Sequence, residues 1–486
     1  MEFQVRLSGS SPLTRQIYDQ MRAAILDGRL RRGTRLPSTR DLATQLNVAR
    51  KTVVVAYDML FAEGLVRARS GTATYVETVQ STKPRVPGDA IGSLKVGPLW
   101  QEVPALPRFP RGPVKFDFGI GVPDLTQFPW PLWRTLSARC LRAASEHDCS
   151  YLSPQGYGPT REAISAFASF SRAVRATAED VLVTNGAQQA FQLIAQVMMQ
   201  PGTVVAIESP GYGLARSLFR AHGTRIADVP VDRHGLLVSR LPDDAKLVYT
   251  TPSHQFPTGV VMSLERRVQL LEWARARGAA IIEDDYDSEF RFEGRSLESL
   301  QSLDPSLVIY VGTFSKSMFP GVRLGFAIAP PSLQSALVAA KQLTDWNSSF
   351  VNQAALAAFI NEGYYLRHIK RARRLYLARR TRLIAEIDRT LSDWLEIQPS
   401  GTGLHFAARL LQRTDADAIA KSALARDVRI VAMPDGLIFG LGAIATERIP
   451  VGVAQLRSVL EEHFRSRPAP ATKRTTSGRR QTLTER

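Results

Sequence analysis

Gly312-Thr-Phe-Ser-Lys316-Ser-Met-Phe-Pro-Gly321-Val-Arg323-Leu-Gly325 is a polar, glycine-punctuated turn between two apolar runs that each read as a buried strand. It offers one amine and one guanidinium to an anion. A lysine between Ser315 and Ser317, with an arginine seven residues further on, suits an aldehyde cofactor that carries a phosphate. The lysine would form a Schiff base while the hydroxyls and Arg323 hold the phosphate. The same residues also suit a solvated surface turn, so the surrounding chain has to decide.

From Val114 onward, strand-like runs alternate with helical ones: Val181 to Thr184, Thr203 to Ile207, Lys246 to Thr250, Ala279 to Glu283, Leu307 to Val311 and Leu324 to Ala329. The alternation predicts a mostly parallel sheet flanked by helices, an α/β fold. Three further segments add chemistry to it. Val181-Leu-Val-Thr-Asn-Gly186-Ala-Gln-Gln-Ala-Phe191 reads as strand, glycine turn and helix start, which presents backbone amides to an anion. Ile207-Glu-Ser-Pro-Gly-Tyr212 ends a strand with a ring able to stack on a planar heterocycle, though Tyr212 equally suits a core position. Ile281-Ile-Glu-Asp284-Asp-Tyr286 ends an apolar strand in carboxylates, which suit either a pyridine nitrogen or a magnesium ion.

In this order the segments resemble the aspartate-aminotransferase-like fold, fold type I among enzymes that use pyridoxal phosphate, over residues 114–466. The resemblance implies that cofactor. Lys316 would be the Schiff-base lysine, Asp284 the partner of the pyridine nitrogen, Tyr286 the donor to the ring oxygen and Tyr212 the stacking ring. Ala187, Gln188, Ser315 and Arg323 would form the phosphate cup. Thr251-Pro-Ser-His-Gln-Phe-Pro-Thr-Gly259 replaces the asparagine-proline loop of many aminotransferases, so either His254 or Gln255 would approach the ring oxygen. Where such enzymes place an arginine to clamp a substrate carboxylate, Gly436-Leu-Ile-Phe-Gly-Leu-Gly442 has Ile438. Arg216, His405 and Arg448 are candidate replacements, and each also reads as an ordinary surface or helix-face residue.

The chain has 486 residues, a formal charge of +17 and 44% hydrophobic residues, enough for two folded domains with a sizeable core. No apolar run reaches the ~20 residues of a membrane span, and Met-Glu-Phe-Gln-Val-Arg lacks the apolar stretch of a signal peptide, so the expected location is the cytoplasm. Cys140 and Cys149 lack metal-ligand spacing and read as reduced thiols. The basic excess asks for a polyanionic partner.

That partner is suggested by residues 1–77. Leu13, Ile17, Met21, Ile25 and Leu26 recur at helical spacing until Gly28 and Gly33. Ser38 can cap a second helix with Asp41 as the other half of a capping box, and Leu42 and Leu46 face inward. A third helix runs from Arg50 through Val53, Ala56, Tyr57 and Leu60, followed by a hairpin from Leu65 to Val76. This is a winged helix-turn-helix. Arg50, Lys51 and Thr52 open the helix that would enter the major groove, while Arg40, Arg67, Arg69, Ser70 and Gly71 would meet the backbone or minor groove. Gly33-Thr-Arg-Leu-Pro-Ser-Thr-Arg-Asp-Leu-Ala43 and Val48-Ala-Arg-Lys-Thr-Val53 resemble the DNA-binding domain of the GntR family. That likeness implies operator contacts by Ser38, Arg40, Arg50, Lys51, Thr52 and Gly71. Ala49 departs from it, because a serine there would cap the third helix.

Residues 78–113, with Pro84, Pro87, Pro98, Pro104, Pro107, Pro110 and Pro113, read as an extended linker, and residues 467–486 as a disordered basic tail. A GntR-like domain linked to an aminotransferase-like one resembles the MocR-type regulators. The resemblance implies a domain-swapped homodimer that binds double-stranded operator DNA and responds to a small amino compound. Two other readings stay open: a catalytic aminotransferase with an accessory DNA-binding domain, and a DNA-binding protein that uses the cofactor only structurally. Arg367-His-Ile-Lys-Arg-Ala-Arg-Arg374, continuing to Arg379, Arg380 and Arg382, reads as a solvated helix face or a second phosphate track.

Overall fold

The apolar spacing near the N-terminus forms the helix Leu13–Leu26, which buries Ile17, Met21 and Ile25 but leaves Leu13 exposed at its head. The structure, a computed structural model, describes residues 5–8, 11–69, 73–77, 95, 97, 100, 112–145, 150–294, 298–398 and 400–465. It divides into two units, Met1–Lys95 and Val96–Arg486. In the first, Ser38 Oγ accepts the Asp41 N–H at 3.1 Å and opens the helix Thr39–Leu46, which Asn47 ends at φ 51°. The helix Arg50–Ala62 starts at Ala49 with no side-chain cap, and it buries Val53, Ala56, Tyr57 and Leu60 in the small core. The wing is the antiparallel pair Val66–Arg69 and Ala73–Val76. Ser70 and Gly71 lie outside the described residues, as do nearly all of the expected linker and the whole tail.

The second unit carries an eight-stranded sheet in the order Val181–Thr184, Gly325–Ile328, Val308–Thr313, Ala280–Asp285, Ala245–Thr250, Val204–Ser209, Arg225–Asp232 and Gly235–Leu236. All six runs read from the sequence are strands. Arg225–Asp232 escaped notice because Asp228, Pro230 and Asp232 interrupt its apolar pattern. The sheet is more mixed than expected. Gly325–Ile328 runs antiparallel to both of its neighbours, since the turn after Thr313 is too short for a crossover helix and the chain must fold straight back.

Strand alternation sends successive side chains to opposite faces. Val205, Ile207, Leu247, Ile282 and Ile309 pack against Ala190, Phe191, Leu193 and Ile194 of the helix Ala187–Met198. Val204, Ala206, Val248, Ile281 and Val308 pack against Leu270, Leu271 and Ala274 of the helix Leu264–Arg277 on the other side. Parity therefore puts Asp284 on the face of Ala187–Met198 and Asp285 on the opposite face. A smaller antiparallel sheet follows, ordered Leu395–Ile397, His405–Leu410, Gly436–Gly440 and Val431–Met433. Among the described residues no helix is long and apolar enough to cross a membrane.

The basic run lies on the helix Tyr364–Thr390, and part of it is structural rather than a phosphate track. Arg379 is buried: its guanidinium bonds Asp124 Oδ2 at 2.5 Å and the carbonyls of Leu441 and Gly442 at 3.0 and 2.8 Å. Burial works against the Asp124 charge, but hydrogen bonds from Thr126 and Arg379 outweigh it and hold the carboxyl below the usual range. Arg380 bonds Glu293, and Arg382 bonds Glu386. Removing one member of a buried ion pair strands the other, so Arg379→Ala should cost ~3 to 5 kcal/mol of stability in urea unfolding followed in the aminotransferase-like unit. Arg382→Ala removes an exposed guanidinium from a buried Glu386 that keeps its bond to Arg389, so it should cost about 1 kcal/mol, well below Arg379→Ala.

Candidate functional site

Lys316 leaves the strand Val308–Thr313 on the short turn and points its Nζ at the Gly121 carbonyl, 2.8 Å away. Burial lowers the amine's pKa, while Asp287 and Asp284 pull it back up. A buried amine with a lowered pKa spends more time neutral, which is the nucleophilic form. Gly121 sits at φ 87°, and a Cβ there would stand 3.3 Å from the amine.

Asp284 is the penultimate residue of the strand Ala280–Asp285 and is 5% exposed. Its Oδ2 accepts the Tyr249 hydroxyl at 2.5 Å, and its Oδ1 is buried with no hydrogen-bond partner among the described residues. Burial raises its pKa to about 7, although the Tyr249 hydrogen bond lowers it. A buried carboxylate with one bare oxygen fits a cationic N–H donor such as a pyridinium, which would remove that penalty. Tyr249 was not identified from the sequence. Its signal was a phenol inside an otherwise apolar strand, since a buried hydroxyl needs a partner.

The start of the helix Ala187–Met198 faces Arg323. Gly186 caps this helix at φ 83°, and a Cβ there would meet the Arg323 guanidinium at 3.2 Å. Arg323 itself holds φ 49°, a left-handed conformation rare for a long side chain, and its Nη2 bonds the Asn185 carbonyl at 2.5 Å. The Ser315 N–H donates to Thr313 Oγ1 at 3.2 Å, and Gln188 Oε1 is buried without a partner among the described residues. Open amides at a helix start beside a guanidinium and a hydroxyl form an anion site.

Lys316, Asp284, Tyr286, Tyr212, Ala187, Gln188, Ser315 and Arg323 all line one cavity of about 260 Å³, together with Tyr249, Phe256, Asp287 and His405. The solvated-turn reading of Lys316 does not survive this convergence. Tyr212 is half-buried and meets Phe256 edge-on at 5.8 Å. Neither His254 nor Gln255 lines the cavity. Gln255 Nε2 is taken up by the Phe256 carbonyl in its own loop at 2.6 Å and by the Pro210 carbonyl of the preceding strand end at 2.8 Å. His254 lies behind Tyr286, whose hydroxyl donates to the His254 carbonyl at 2.9 Å, and His254 Nδ1 is 3.0 Å from Asp287 Oδ1. Of the three candidate carboxylate binders, only His405 reaches the cavity. Arg216 pairs with Asp228, and exposed Arg448 lies 3.4 Å from the Lys115 carbonyl.

On the DNA-reading unit, Arg40, Arg50 and Lys51 are exposed and Thr52 is half-buried. Arg50 Nε is 3.5 Å from Thr39 Oγ1 on the neighbouring helix. Ser38 is exposed, with its oxygen engaged as the helix cap. Gly71, also expected to meet DNA, falls in the undescribed tip of the wing.

A winged helix-turn-helix followed by a fold of this type defines a DNA-binding regulator built on an aminotransferase scaffold. Residues 13–76 match the gntR family of bacterial regulatory proteins, and residues 113–459 match aminotransferase class I and II. The chain belongs to the GntR family, among its MocR-type transcriptional regulators. It is 35% identical over 467 residues to the probable rhizopine catabolism regulatory protein MocR of Rhizobium meliloti, covering 92% of this chain and 93% of that one. Likeness to a 2-aminoadipate transaminase of Thermus thermophilus is 32% over 68% of this chain and 83% of the relative. Among solved structures, the α-aminoadipate aminotransferase LysN of Thermus thermophilus, complexed with N-(5'-phosphopyridoxyl)-L-leucine, superposes with a TM-score of 0.67 at 28% identity. That match covers 72% of this chain and 93% of LysN.

The bare Asp284 oxygen has a cost that depends on pH. In protein dialysed free of small ligands its folded pKa of about 7 lies above the unfolded value of ~3.9. Between these values the native state keeps a proton that the unfolded chain has lost, so stability falls as pH rises through this window. Asp284→Asn should therefore be the more stable protein at pH ~8, by up to ~4 kcal/mol, and should converge on the parent near pH ~4. Urea midpoints at the two pH values measure it.

Proposed function

We propose that this regulator holds pyridoxal phosphate in the cavity at Lys316, senses a small amino compound there and changes its affinity for an operator in response. The observation that carries the reading is the convergence in one cavity of a buried amine, a carboxylate with a bare oxygen and an anion-binding helix start. When bound, pyridoxal phosphate supplies an aldehyde that exchanges one amine for another and a ring that withdraws electrons. Lys316 Nζ, held at the Gly121 carbonyl in the cavity wall, would provide the resident amine. Asp284 would hold the proton on the pyridine nitrogen, Tyr286 would turn its hydroxyl from the His254 carbonyl to donate to the ring oxygen, and Tyr212 would cover the ring face. Arg323, Ser315, Ala187 and Gln188 take the phosphate.

In this reading residues 1–77 bind DNA and residues 114–466 sense, with residues 78–113 between them. Arg50, Lys51 and Thr52 meet the major groove, and Ser38, Arg40 and Gly71 meet the backbone. The protein works in the cytoplasm as a homodimer, with each DNA-reading unit serving its partner's sensor. The prolines of residues 78–113 favour the extended reach that such an exchange needs. Sedimentation of the full chain tests the dimer.

A catalytic aminotransferase is the second reading, favoured by the likeness to the Thermus transaminase and by the complete Lys316, Asp284 and Tyr286 set. Sustained turnover with an amino donor and a keto acid acceptor would establish it. Sensing without turnover favours the regulator.

Two experiments test the proposal. The full chain loaded with pyridoxal phosphate should show a visible absorption band that Lys316→Ala abolishes; an unchanged band would assign the chemistry to another lysine. On DNA, Arg50→Ala should cost ~1 to 3 kcal/mol and relax preference at one operator position, while Arg40→Ala should weaken all sequences alike and reduce the salt slope by about one. Titrations of matched and altered operators at several salt concentrations separate the two.

A further inference from the structure

The cavity has two lysine or arginine residues among the described residues that line it, Lys316 and Arg323. The proposed function, on which this inference rests, commits both to the cofactor, so an incoming amine meets a wall without a spare cation. That wall includes His405, at the start of the strand His405–Leu410. His405 pairs with Gly440 and Ala407 with Ile438, so alternation puts Gly440, Ala407 and Ile438 on the same sheet face as His405. Phe406, Leu437 and Phe439 belong to the core on the other face. The charges on the face that carries His405 into the cavity, Arg409 and Glu396, stand at the far end of the strands and pair with each other, and neither lines the cavity.

His405 is itself neutral, its pKa pushed down to about 3 by burial first and by neighbouring His254 second. Its ring hydrogen-bonds the Pro257 backbone, whose carbonyl can only accept. His405 Nε2 is buried with no partner among the described residues, which puts the ring proton on Nδ1 and leaves Nε2 a bare acceptor. The adjacent imidazole, 4.6 Å away between centroids, does not fill that gap: His254 Nδ1 is engaged with Asp287, and His254 Nε2 is itself buried with no partner among the described residues.

We propose that His405 is a specificity residue and that the cavity takes an amine that carries a hydroxyl and no carboxylate, an amino alcohol or amino polyol, whose hydroxyl donates to His405 Nε2. A hydroxyl satisfies the orphaned nitrogen. A carboxylate, which only accepts, sets its lone pairs against the imidazole lone pair and loses its water without gaining a counter-charge.

Matched pairs of amines test this on the full chain loaded with pyridoxal phosphate, read by the change in its visible band: ethanolamine against glycine, L-alaninol against L-alanine, with glucosamine as a polyol. The hydroxylated member of each pair should half-saturate the change at a concentration about tenfold lower or less, a difference of ~1.4 kcal/mol. His405→Leu should keep the band and erase the preference, whereas His405→Gln, which retains an acceptor, should keep most of it. Ile438→Arg, on the same sheet face, should turn preference toward the amino acids. Equal or tighter response to glycine and L-alanine in the parent would overturn the inference alone, as would an undiminished preference in His405→Leu. Absence of the visible band in the parent would overturn the cofactor reading and this inference together.

Discussion

A carboxylate buried at the end of a strand with one oxygen unanswered is costly in a folded protein, and the larger unit is arranged around that cost at Asp284. Strand alternation turns Asp284 toward the helix Ala187–Met198, and Tyr249 on the adjacent strand answers its other oxygen. A cationic ligand returns the energy that burial takes. The neighbouring Asp285, facing the opposite way, also has a buried Oδ1 with no partner among the described residues, but the Arg172 guanidinium answers its charge, and Arg172, Tyr310 and Ser288 all bond its Oδ2. Two consecutive aspartates thus do different work because the pleat separates them: one is neutralised by the protein, and the other is left for something the protein must acquire.

The same logic runs through the turn that follows the next strand. Lys316 and Arg323 are both delivered by the stretch between Thr313 and Gly325, and its shortness forces the antiparallel return that brings Gly325 against Gly186, where a Cβ would lie 2.8 Å from the Gly186 backbone. The close approach sets the guanidinium over the start of the helix Ala187–Met198. Amine and anion site are therefore fixed relative to each other by chain geometry as well as by packing.

Most of this was legible in the sequence because it is carried by local pattern. The strand ends at Thr184, Asp284 and Thr313 could be read from apolar runs closed by polar or glycine residues, and the groups they deliver follow directly. What escaped depends on contacts remote in the chain. Tyr249 looks like any strand tyrosine until Asp284 is placed beside it. Arg379 belongs to a basic run by sequence and to a buried ion pair in space, because its partner Asp124 lies far upstream. His254 and Gln255 could not be told apart by position in a loop, and neither reaches the cavity, because Gln255 is bonded to the Pro210 and Phe256 carbonyls and His254 stands behind Tyr286.

The uncapped start of the helix Arg50–Ala62 has a consequence of its own. With alanine at the capping position, no cap side chain answers the amides of the first turn, although the Thr52 N–H reaches back to the Ala49 carbonyl at 2.9 Å. The turn that would face the base pairs is therefore anchored less firmly than the buried half of the same helix. A phosphate brought against it would act as the missing cap, so docking and completion of the helix become a single event. Such an end trades stability in isolation for a larger gain on contact with a polyanion.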